Sequence, residues 1–140
     1  MKEAQLAYQL RVLFEQKITS YYLDSFKGMF GKVQVEVLIY LYDNAGVRVQ
    51  KLAEKLNIPK QHASKIVARL EELGLVGGKT DESDKRANLY FLTEQGLELM
   101  NRHMEASNQN FEEMLKCLTE KEKEQMMLSM KTMIDLLKKM

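Results

Sequence analysis

Hydrophobic positions along the 140-residue chain recur with helical spacing in six segments, and one region between them has a β-compatible pattern. The first predicted helix runs from about Lys2 to Leu23 and carries an apolar stripe at mostly three- and four-residue steps. Residues 24–32 contain two glycines among polar residues, which marks a break. The next apolar segment, residues 33–42, alternates like a strand at its start, whereas its later apolar positions form a helical stripe. We therefore predict a second helix there.

Two short helices are predicted in the middle of the chain. The first spans residues 49–58, and a tight turn at residues 57–59 leads into the second. The second helix starts near Pro59, because proline suits a first helical position, and ends before Gly74, which lies where a C-terminal cap belongs. Its apolar residues share one side and are expected to face the core; they are Ala63, Ile66, Val67, Leu70 and Leu73.

A β-hairpin is predicted directly after this helix-turn-helix. The segments "LVGGKT" and "NLYFLT" are β-compatible and flank the polar stretch "DESDKRA", which would form a charged tip. Thr93 can cap the long helix that follows, and "TEKE" at residues 119–122 fits a capping box that opens the last helix. A hairpin directly after a helix-turn-helix is a winged helix. The predicted fold class is therefore mainly α (α+β), a winged helix-turn-helix with long N- and C-terminal helices.

Composition is that of an ordinary folded protein. Hydrophobic residues make up 45% and charged residues 29%, a balance that excludes a disordered chain. No apolar run approaches the length of a membrane span, and the N-terminus has no signal-peptide pattern, so we expect a cytoplasmic protein with no membrane partner. The single cysteine, Cys117, excludes an intramolecular disulfide framework.

The net charge of +1 conceals an uneven distribution along the chain. Residues 1–47 carry five basic and five acidic side chains, residues 48–86 carry nine and six, and residues 87–140 carry seven and nine. The three segments therefore have charges of zero, +3 and −2. A basic middle segment favours a polyanionic partner for that part of the molecule.

The stretch "LAEKLNIPKQHASKIVARLEELGLV", followed by "DESDKRANLYFLTEQG", resembles the MarR family of bacterial and archaeal transcription regulators. The most specific element is the Asp-x-Arg of the hairpin tip, here Asp84-Lys85-Arg86, between two strands. The resemblance implies a cytoplasmic homodimer that binds double-stranded DNA. It also implies a regulator of transcription, commonly a repressor, that a small-molecule effector releases from DNA.

The resemblance also implies that one domain, residues 1–140, has a DNA-binding part and a dimerisation part. Residues 33–92 would form the DNA-binding winged helix-turn-helix, while residues 1–30 and 93–140 would form a helical dimerisation part. The sequence departs from the family pattern in two places. Gly77-Gly78 stands in the first hairpin strand where basic residues are common, and Arg48-Val49 replaces a Ser or Thr cap before the first short helix.

The polar side of the second short helix carries the candidate base contacts. A major groove admits a helix, and the N-terminal half of a recognition helix lies nearest the base edges. Gln61 suits adenine, Ser64 suits bases or phosphate, and Arg69 is placed better for phosphate. The DNA-binding residues predicted on this helix are Lys60, Gln61, His62, Ser64, Lys65 and Arg69. A polar face alone is usually only solvated, and the adjacent wing is what favours DNA binding.

The hairpin tip supplies the second set of predicted DNA contacts, Asp84, Lys85 and Arg86. We expect Arg86 to enter the minor groove, held by a charge-assisted bond to Asp84, and Lys85 to contact phosphate. Because Asp81, Glu82 and Asp84 would repel DNA if they all faced it, some of these acids must point away or pair with cations.

The long terminal helices cannot bury their stripes against so small a middle part, so they need each other or a second copy of the chain. The predicted dimer interface consists of Leu6, Leu10, Leu13, Leu115, Leu118, Met130, Ile134 and Leu137. Core packing within one chain is an equally good explanation for any one of these residues, because both roles demand the same apolar period.

The aromatic stretch "YYLDSFKGMF" is the candidate effector pocket. Its predicted lining is Tyr21, Tyr22, Phe26, Met29 and Phe30. The stretch would lie between the dimerisation and DNA-binding parts, where the resemblance places effectors. The simpler explanation is that these aromatic residues only seal that junction.

Two other classes of function were weighed. The chain has no phosphate-cradling glycine motif and no metal-ligand spacing, so we predict neither an enzyme nor a bound cofactor or metal. A winged helix that binds other proteins without specific DNA binding remains the alternative, although the polar helix side argues against an apolar docking patch. Cys117 could act as a redox switch, but an unreactive cysteine is the favoured interpretation.

Overall fold

The computed structural model describes residues 2–20, 26 and 28–140, and it confirms the predicted winged-helix fold. Six helices and a two-stranded antiparallel sheet follow one another along the described chain: α1 Glu3–Phe14, α2 Lys32–Asp43, α3 Val49–Leu56, α4 Lys60–Glu72, β1 Val76–Thr80, β2 Asn88–Leu92, α5 Glu94–Leu115 and α6 Glu120–Leu137. The chain separates into two compact units, Met1–Ser107 and Asn108–Met140. Within the described residues, no helix combines the length and apolarity needed to cross a membrane.

The first helix is less regular than its sequence pattern predicts. Regular α1 ends at Phe14, and a wider π-helical turn spans Glu15–Thr19. The predicted end of this helix near Leu23 lies outside the described residues. None of the twelve residues of α1 is buried, so its apolar stripe is open to a partner.

The ambiguous segment forms helix α2, as predicted. Its buried residues are Val35, Val37, Leu38 and Leu41. Together with Val33, Ile39, Tyr40 and Tyr42, which are partly buried against the same core, this set covers more than half of the helix circumference at 3.6 residues per turn. A helix surrounded by core on so wide an arc accepts apolar residues at two-residue steps, which explains the strand-like start of the sequence pattern.

Two residues with a left-handed backbone conformation end the two helices of the helix-turn-helix. Asn57 follows α3 with a φ of 54°, and Gly74 follows α4 with a φ of 76°. The amide of Gly74 donates to the carbonyl of Glu71 at 2.9 Å, and the amide of Leu75 donates to that of Leu70 at 3.0 Å. These bonds close the helix end and confirm the predicted glycine cap. Pro59 lies one position before the first residue of α4 rather than inside it.

Leu73 does not face the core, so that part of the sequence interpretation was wrong. Helix α4 ends at Glu72. Leu73 is the C-cap residue and is 39% exposed, because at 100° per residue it lies at the edge of the apolar side rather than at its centre.

The hairpin explains the two glycines that depart from the family pattern. Gly77 pairs with Phe91 and Gly78 pairs with Tyr90 across the two strands. A Cβ added at Gly77 would lie 3.0 Å from the ring of Phe91, and one added at Gly78 would lie 2.9 Å from the ring of Tyr90. The glycines therefore make room for aromatic rings on the opposite strand.

The core of the first unit lies between α2, the helix-turn-helix, the hairpin and the start of α5. Its largest fully buried side chains are Phe26, Leu38, Leu52, Leu70, Met100, Val35, Val37 and Val67. Gly96 lets α5 approach the hairpin, because a Cβ at this position would overlap the carbonyl oxygen of Leu75. This core holds α4 by one side and leaves its other side outward.

Both threonine caps form as the sequence predicts. The hydroxyl of Thr93 accepts from the amide of Gly96 at 3.1 Å and donates to the carbonyl of Gly74 at 2.6 Å, which ties the start of α5 to the end of α4. Thr119 and Glu122 make a reciprocal capping box at the start of α6, with distances of 2.9 and 3.1 Å. Its hydrogen bonds lower the pKa of Glu122, because they stabilise the ionised carboxylate.

Candidate nucleic-acid interface

The outward side of α4 is polar and accessible along its whole length. Ala63, Ile66, Val67 and Leu70 are buried and hold the helix to the core. All six residues predicted to contact DNA on this helix are exposed: Lys60, Gln61, His62, Ser64, Lys65 and Arg69. Ala68 is exposed among them and is small. A surface of this kind allows a groove edge to approach the helix closely.

A groove of about 340 Å³ separates the N-terminal part of α4 from the hairpin. Lys60 and Ser64 line it from α4, and Asp84 and Arg86 line it from the hairpin tip. Arg48 lines it from the residue before α3. Arg48 is paired with the carboxylate of Asp81. The remaining charges are Lys60 and Arg86 against Asp84, so the groove is locally positive.

The hairpin tip is closed by its own backbone and presents Arg86 to solvent. The amide of Asp81 donates to the carbonyl of Ala87 at 3.0 Å, and the amide of Ala87 donates to the carbonyl of Asp84 at 3.0 Å. The Arg86 side chain is 96% exposed. Lys85 beside it is also exposed, so both cations are accessible to a partner.

The contact between Asp84 and Arg86 differs in kind from the bond expected from the sequence. The backbone amide of Arg86, not its guanidinium, donates to Oδ1 of Asp84 at 3.1 Å. The guanidinium Nε lies 3.8 Å from the same oxygen, which is an ion pair but too long for a hydrogen bond. The arginine side chain therefore keeps its donors for a partner.

Asp81 is buried and turned away from the tip surface. Its Oδ2 accepts from Nε of Arg48 at 2.9 Å and also from Nη2 of the same side chain. Its Oδ1 accepts from the amide and the hydroxyl of Ser83 at 3.0 and 2.8 Å. The bond from Arg48, followed by those from Ser83, lowers the pKa of Asp81 to about 2.

The sequence interpretation missed Arg48. It required that some tip acids pair with cations, and Asp81 does so, but it did not identify the partner. One signal was present, because an arginine stood where a Ser or Thr cap was expected. This departure marked the position as unusual for a cap but did not identify the partner of the side chain.

A second cavity, of about 600 Å³, lies at the other end of α4. Its lining is mostly apolar and includes two arginines: Met29, Phe30, Gln34, Arg69, Leu73, Leu75, Gln95, Leu99 and Arg102. Met29 and Phe30 belong to the predicted effector pocket, whereas Tyr21 and Tyr22 lie outside the described residues. The sequence interpretation did not place Arg69 or Arg102 at this site, because the two residues come from different helices.

Phe26, the remaining residue of the predicted pocket, is 2% exposed and belongs to the core. Its ring stacks on the imidazole of His103 with a centroid distance of 3.9 Å, and its edge meets Phe30 at 5.6 Å. Burial lowers the pKa of His103, because a low-dielectric environment disfavours the charged imidazolium. Phe26 thus supports the cavity from behind through Phe30.

Apolar side chains remain exposed on the helices that the sequence assigned to dimerisation. Leu6, Leu10 and Leu13 are between 43% and 55% exposed on α1. Ile134 and Leu137 are 51% and 58% exposed on α6. The other predicted interface residues, Leu115, Leu118 and Met130, are half-buried. Exposed apolar stripes of this length are uncommon on a monomer.

The helix-turn-helix, the hairpin directly after it and the groove between them define a winged-helix protein. Residues 30–87 match the model of the MarR family. This match covers the winged-helix part of the chain and confirms the resemblance seen in its sequence motifs.

Two relatives from Bacillus subtilis, both uncharacterized HTH-type transcriptional regulators, match parts of the sequence. YybA is 32% identical over 59 residues, which are 42% of this chain and 39% of YybA. YxaD is 29% identical over 120 residues, which are 80% of this chain and 84% of YxaD. The first match thus spans well under two thirds of the relative's own length.

Solved structures share the fold over nearly the full chain. MepR, a transcription regulator of the Staphylococcus aureus multidrug efflux pump MepA, is 21% identical with a TM-score of 0.75, over 94% of this chain and 97% of MepR. A mutant of MarR from E. coli is 20% identical with a TM-score of 0.76, over 96% and 97% of the two chains. RV1404 from Mycobacterium tuberculosis is 13% identical with a TM-score of 0.86, over 97% and 95%.

Proposed function

We propose that this protein is a homodimeric transcription regulator that binds double-stranded DNA in a sequence-specific manner. The observation that carries the proposal is the positive groove, where the exposed polar side of α4 lies beside a cationic hairpin tip. A helix enters the major groove while a hairpin tip beside it reaches the backbone or the minor groove. The match of residues 30–87 to a family of transcriptional regulators supports the same function.

The N-terminal half of α4 makes the base contacts. Gln61 recognises adenine with two hydrogen bonds, Lys65 reaches guanine or phosphate, and Ser64 donates or accepts at either. Lys60 and His62 flank these residues, and Arg69 near the C-terminal end contacts phosphate. The exposure of all six side chains supports these roles.

The hairpin tip makes the second contact. Arg86 enters the minor groove, whose negative potential attracts a guanidinium, and Lys85 contacts phosphate. Asp84 turns the tip by accepting the amide of Arg86. The 96% exposure of the Arg86 side chain supports this role.

Two copies of the chain present two α4 helices to one DNA duplex. The exposed stripes of α1 and α6 supply the apolar surface for pairing. Two-fold symmetry then requires a near-palindromic operator with half-sites about 34 Å apart, one turn of the double helix.

Selection of bound duplexes from a random DNA pool tests the whole proposal. We expect an enriched near-palindrome, and affinity for it should fall steeply as salt rises because phosphate contacts release counterions. Recovery of the random pool without enrichment, at any salt, would contradict sequence-specific binding. The same result together with salt-independent capture of a protein would favour the alternative of a protein-binding winged helix.

We also propose that the regulator represses transcription and that a small aromatic anion releases it from DNA. The cavity of about 600 Å³ at the end of α4 supports this regulation, because it combines apolar walls with Arg69 and Arg102. A ligand there contacts the helix that reads DNA, so binding to the two partners is linked. The two arginines can pair with the negative charge of the ligand, and the apolar walls can contact its aromatic ring.

Benzoate and its neutral analogue benzamide test the effector. Benzoate should raise the melting temperature and weaken operator binding in parallel, whereas benzamide should do neither. Arg102→Gln should abolish both effects of benzoate while keeping DNA binding. A panel of aromatic carboxylates and phenols that leaves both quantities unchanged would remove the effector from the proposal.

A further inference from the structure

Arg48 links the helix-turn-helix to the hairpin across 33 residues of sequence. It occupies the N-cap position of α3, where a Ser or Thr would use its side chain to cap the helix. Its guanidinium instead donates from Nε and Nη2 to Oδ2 of Asp81. Both bonds are charge-assisted, the stronger class of hydrogen bond in proteins.

The residue before Arg48 is already tied to the hairpin. Val47 and Tyr90 exchange two backbone hydrogen bonds, at 2.9 and 2.8 Å. Tyr90 lies in the middle of β2, whereas Asp81 follows the end of β1 on the side of the tip. The backbone bridge thus fixes the middle of the hairpin, and the Arg48–Asp81 pair adds an attachment nearer the tip.

A second attachment matters because a two-stranded hairpin is only marginally stable by itself. Core contacts of Val76 and Leu92 hold the end of the hairpin that lies away from the tip, so an attachment nearer the tip is what limits movement of the tip itself. The carboxylate of Asp81 also orders the tip, since its Oδ1 accepts the amide and the hydroxyl of Ser83. One side chain therefore connects the helix-turn-helix to the turn that carries Lys85 and Arg86.

We propose that Arg48 is a positioning residue that, through Asp81, sets the direction in which the hairpin tip presents Arg86. The pair also neutralises an acid that would otherwise oppose a polyanion at the tip. The consequence for DNA recognition rests on the proposed function, whereas the positioning itself does not. The two parts are therefore tested separately.

The first test needs no DNA and measures trypsin cleavage at the tip. Cleavage after Lys85 or Arg86 is compared with cleavage after Lys55 in α3, by mass spectrometry of the nicked chain. Asp81→Asn removes the charge but keeps an acceptor oxygen for Ser83, and Arg48→Ala removes the guanidinium alone. We expect either variant to raise the ratio of tip to α3 cleavage about three- to tenfold, because only the tip is released.

The double variant and two controls make this test decisive. Asp81→Asn with Arg48→Ala should cleave no faster than either single variant, since both changes break one contact. Arg48→Lys keeps the charge and should restore part of the protection. Glu15→Gln breaks the exposed ion pair between Glu15 and Arg11, far along the chain from the hairpin, and should leave the ratio unchanged. Unchanged ratios in both single variants, or equal increases at Lys55, would overturn the positioning role.

The second test uses DNA and the variant Arg86→Ala. In the wild type this change should weaken operator binding, and in the Asp81→Asn background its effect should shrink to less than half that factor, because the tip is no longer held in place. An undiminished effect in that background would overturn the consequence for recognition. If the wild type binds no DNA, the proposed function fails, while the cleavage ratios still decide whether Arg48 positions the hairpin.

Discussion

At the scale of single residues, two arginines near the hairpin have different roles. Arg86 is almost fully exposed and holds its partner loosely, at 3.8 Å. Arg48 commits two donors to one carboxylate. Exposure and pairing, which the sequence does not display, separate a cation available to DNA from one that supports the fold.

Lys65→Ala should weaken operator binding if this lysine contacts DNA. Because removing one phosphate contact removes one released counterion, the slope of log affinity against log salt should flatten by about one unit. Lys131→Ala, which removes an exposed lysine from α6, is the matched control and should change neither quantity. Titration of a labelled operator at several salt concentrations measures both, and equal slopes for the two variants would refute the contact.

The ionisation of Asp81 makes the stability of the folded protein depend on pH in the acid range. Its pKa of about 2 lies below the ordinary value of 3.8, so the ionised form is favoured in the folded state. The stability that this carboxylate contributes is complete above the ordinary value and is lost as the pH falls through about 2.

We therefore expect wild type and Asp81→Asn to differ in urea midpoint by a constant amount above about pH 5. The difference should shrink below pH 4 and vanish only below the folded pKa of about 2. Arg48→Ala removes the largest cause of the shift, so in that background the difference should be smaller at every pH. A difference that grew on acidification would contradict the assignment.

At the scale of elements, close backbone approach decides how α5 meets the hairpin. Thr93 donates its hydroxyl to the carbonyl of Gly74 and its amide to that of Leu75. Gly96 lies one turn into α5 against the same carbonyl of Leu75. The Thr-Glu-x-Gly sequence thus serves packing. The threonine bonds α5 to the residues after α4, and the glycine leaves space for the backbone of Leu75.

Gly96→Ala should destabilise the fold by about 1–3 kcal/mol, the usual cost of overpacking a buried contact. The added Cβ would overlap a backbone oxygen of Leu75, which cannot rotate away as a side chain would. Gly31→Ala is the control, because its Cβ would meet only the side chain of Gln34, at 4.0 Å. Urea unfolding measures both, and equal midpoints for the two variants would show that α5 can shift to accept the methyl group.

At the scale of the whole molecule, the exposed apolar stripes of α1 and α6 call for a partner. We expect light scattering to give twice the chain mass of 16.3 kDa. Leu10→Glu or Ile134→Glu should shift the mass toward that of one chain, because a charge buried in an apolar interface is strongly unfavourable. Leu73→Glu, at an exposed leucine in the winged-helix part, should leave the dimer intact. A wild-type monomer would remove the dimer from the proposed function.

Most elements of the fold could be predicted from local sequence patterns. The order of helices, the hairpin, the glycine after α4 and both threonine caps were predicted because each depends on residues within a few positions of one another. Leu73 was misplaced because, as the C-cap residue, it lies at the edge of the apolar side rather than at its centre. The Arg48–Asp81 pair and the cavity that brings Arg69 and Arg102 together were not predicted, since both join distant parts of the chain.

The sequence by itself determined the element order, the polar side of α4 and the resemblance to a regulator family, because periodicity and motif spacing depend on residues close together in the chain. Only the tertiary structure decided how the hairpin is held beside that helix. Arg48 and Asp81 are 33 residues apart, and no local pattern distinguishes a paired arginine from a free one. Their contact exists because the Val47–Tyr90 bridge brings two distant segments side by side, which is a property of the folded chain alone.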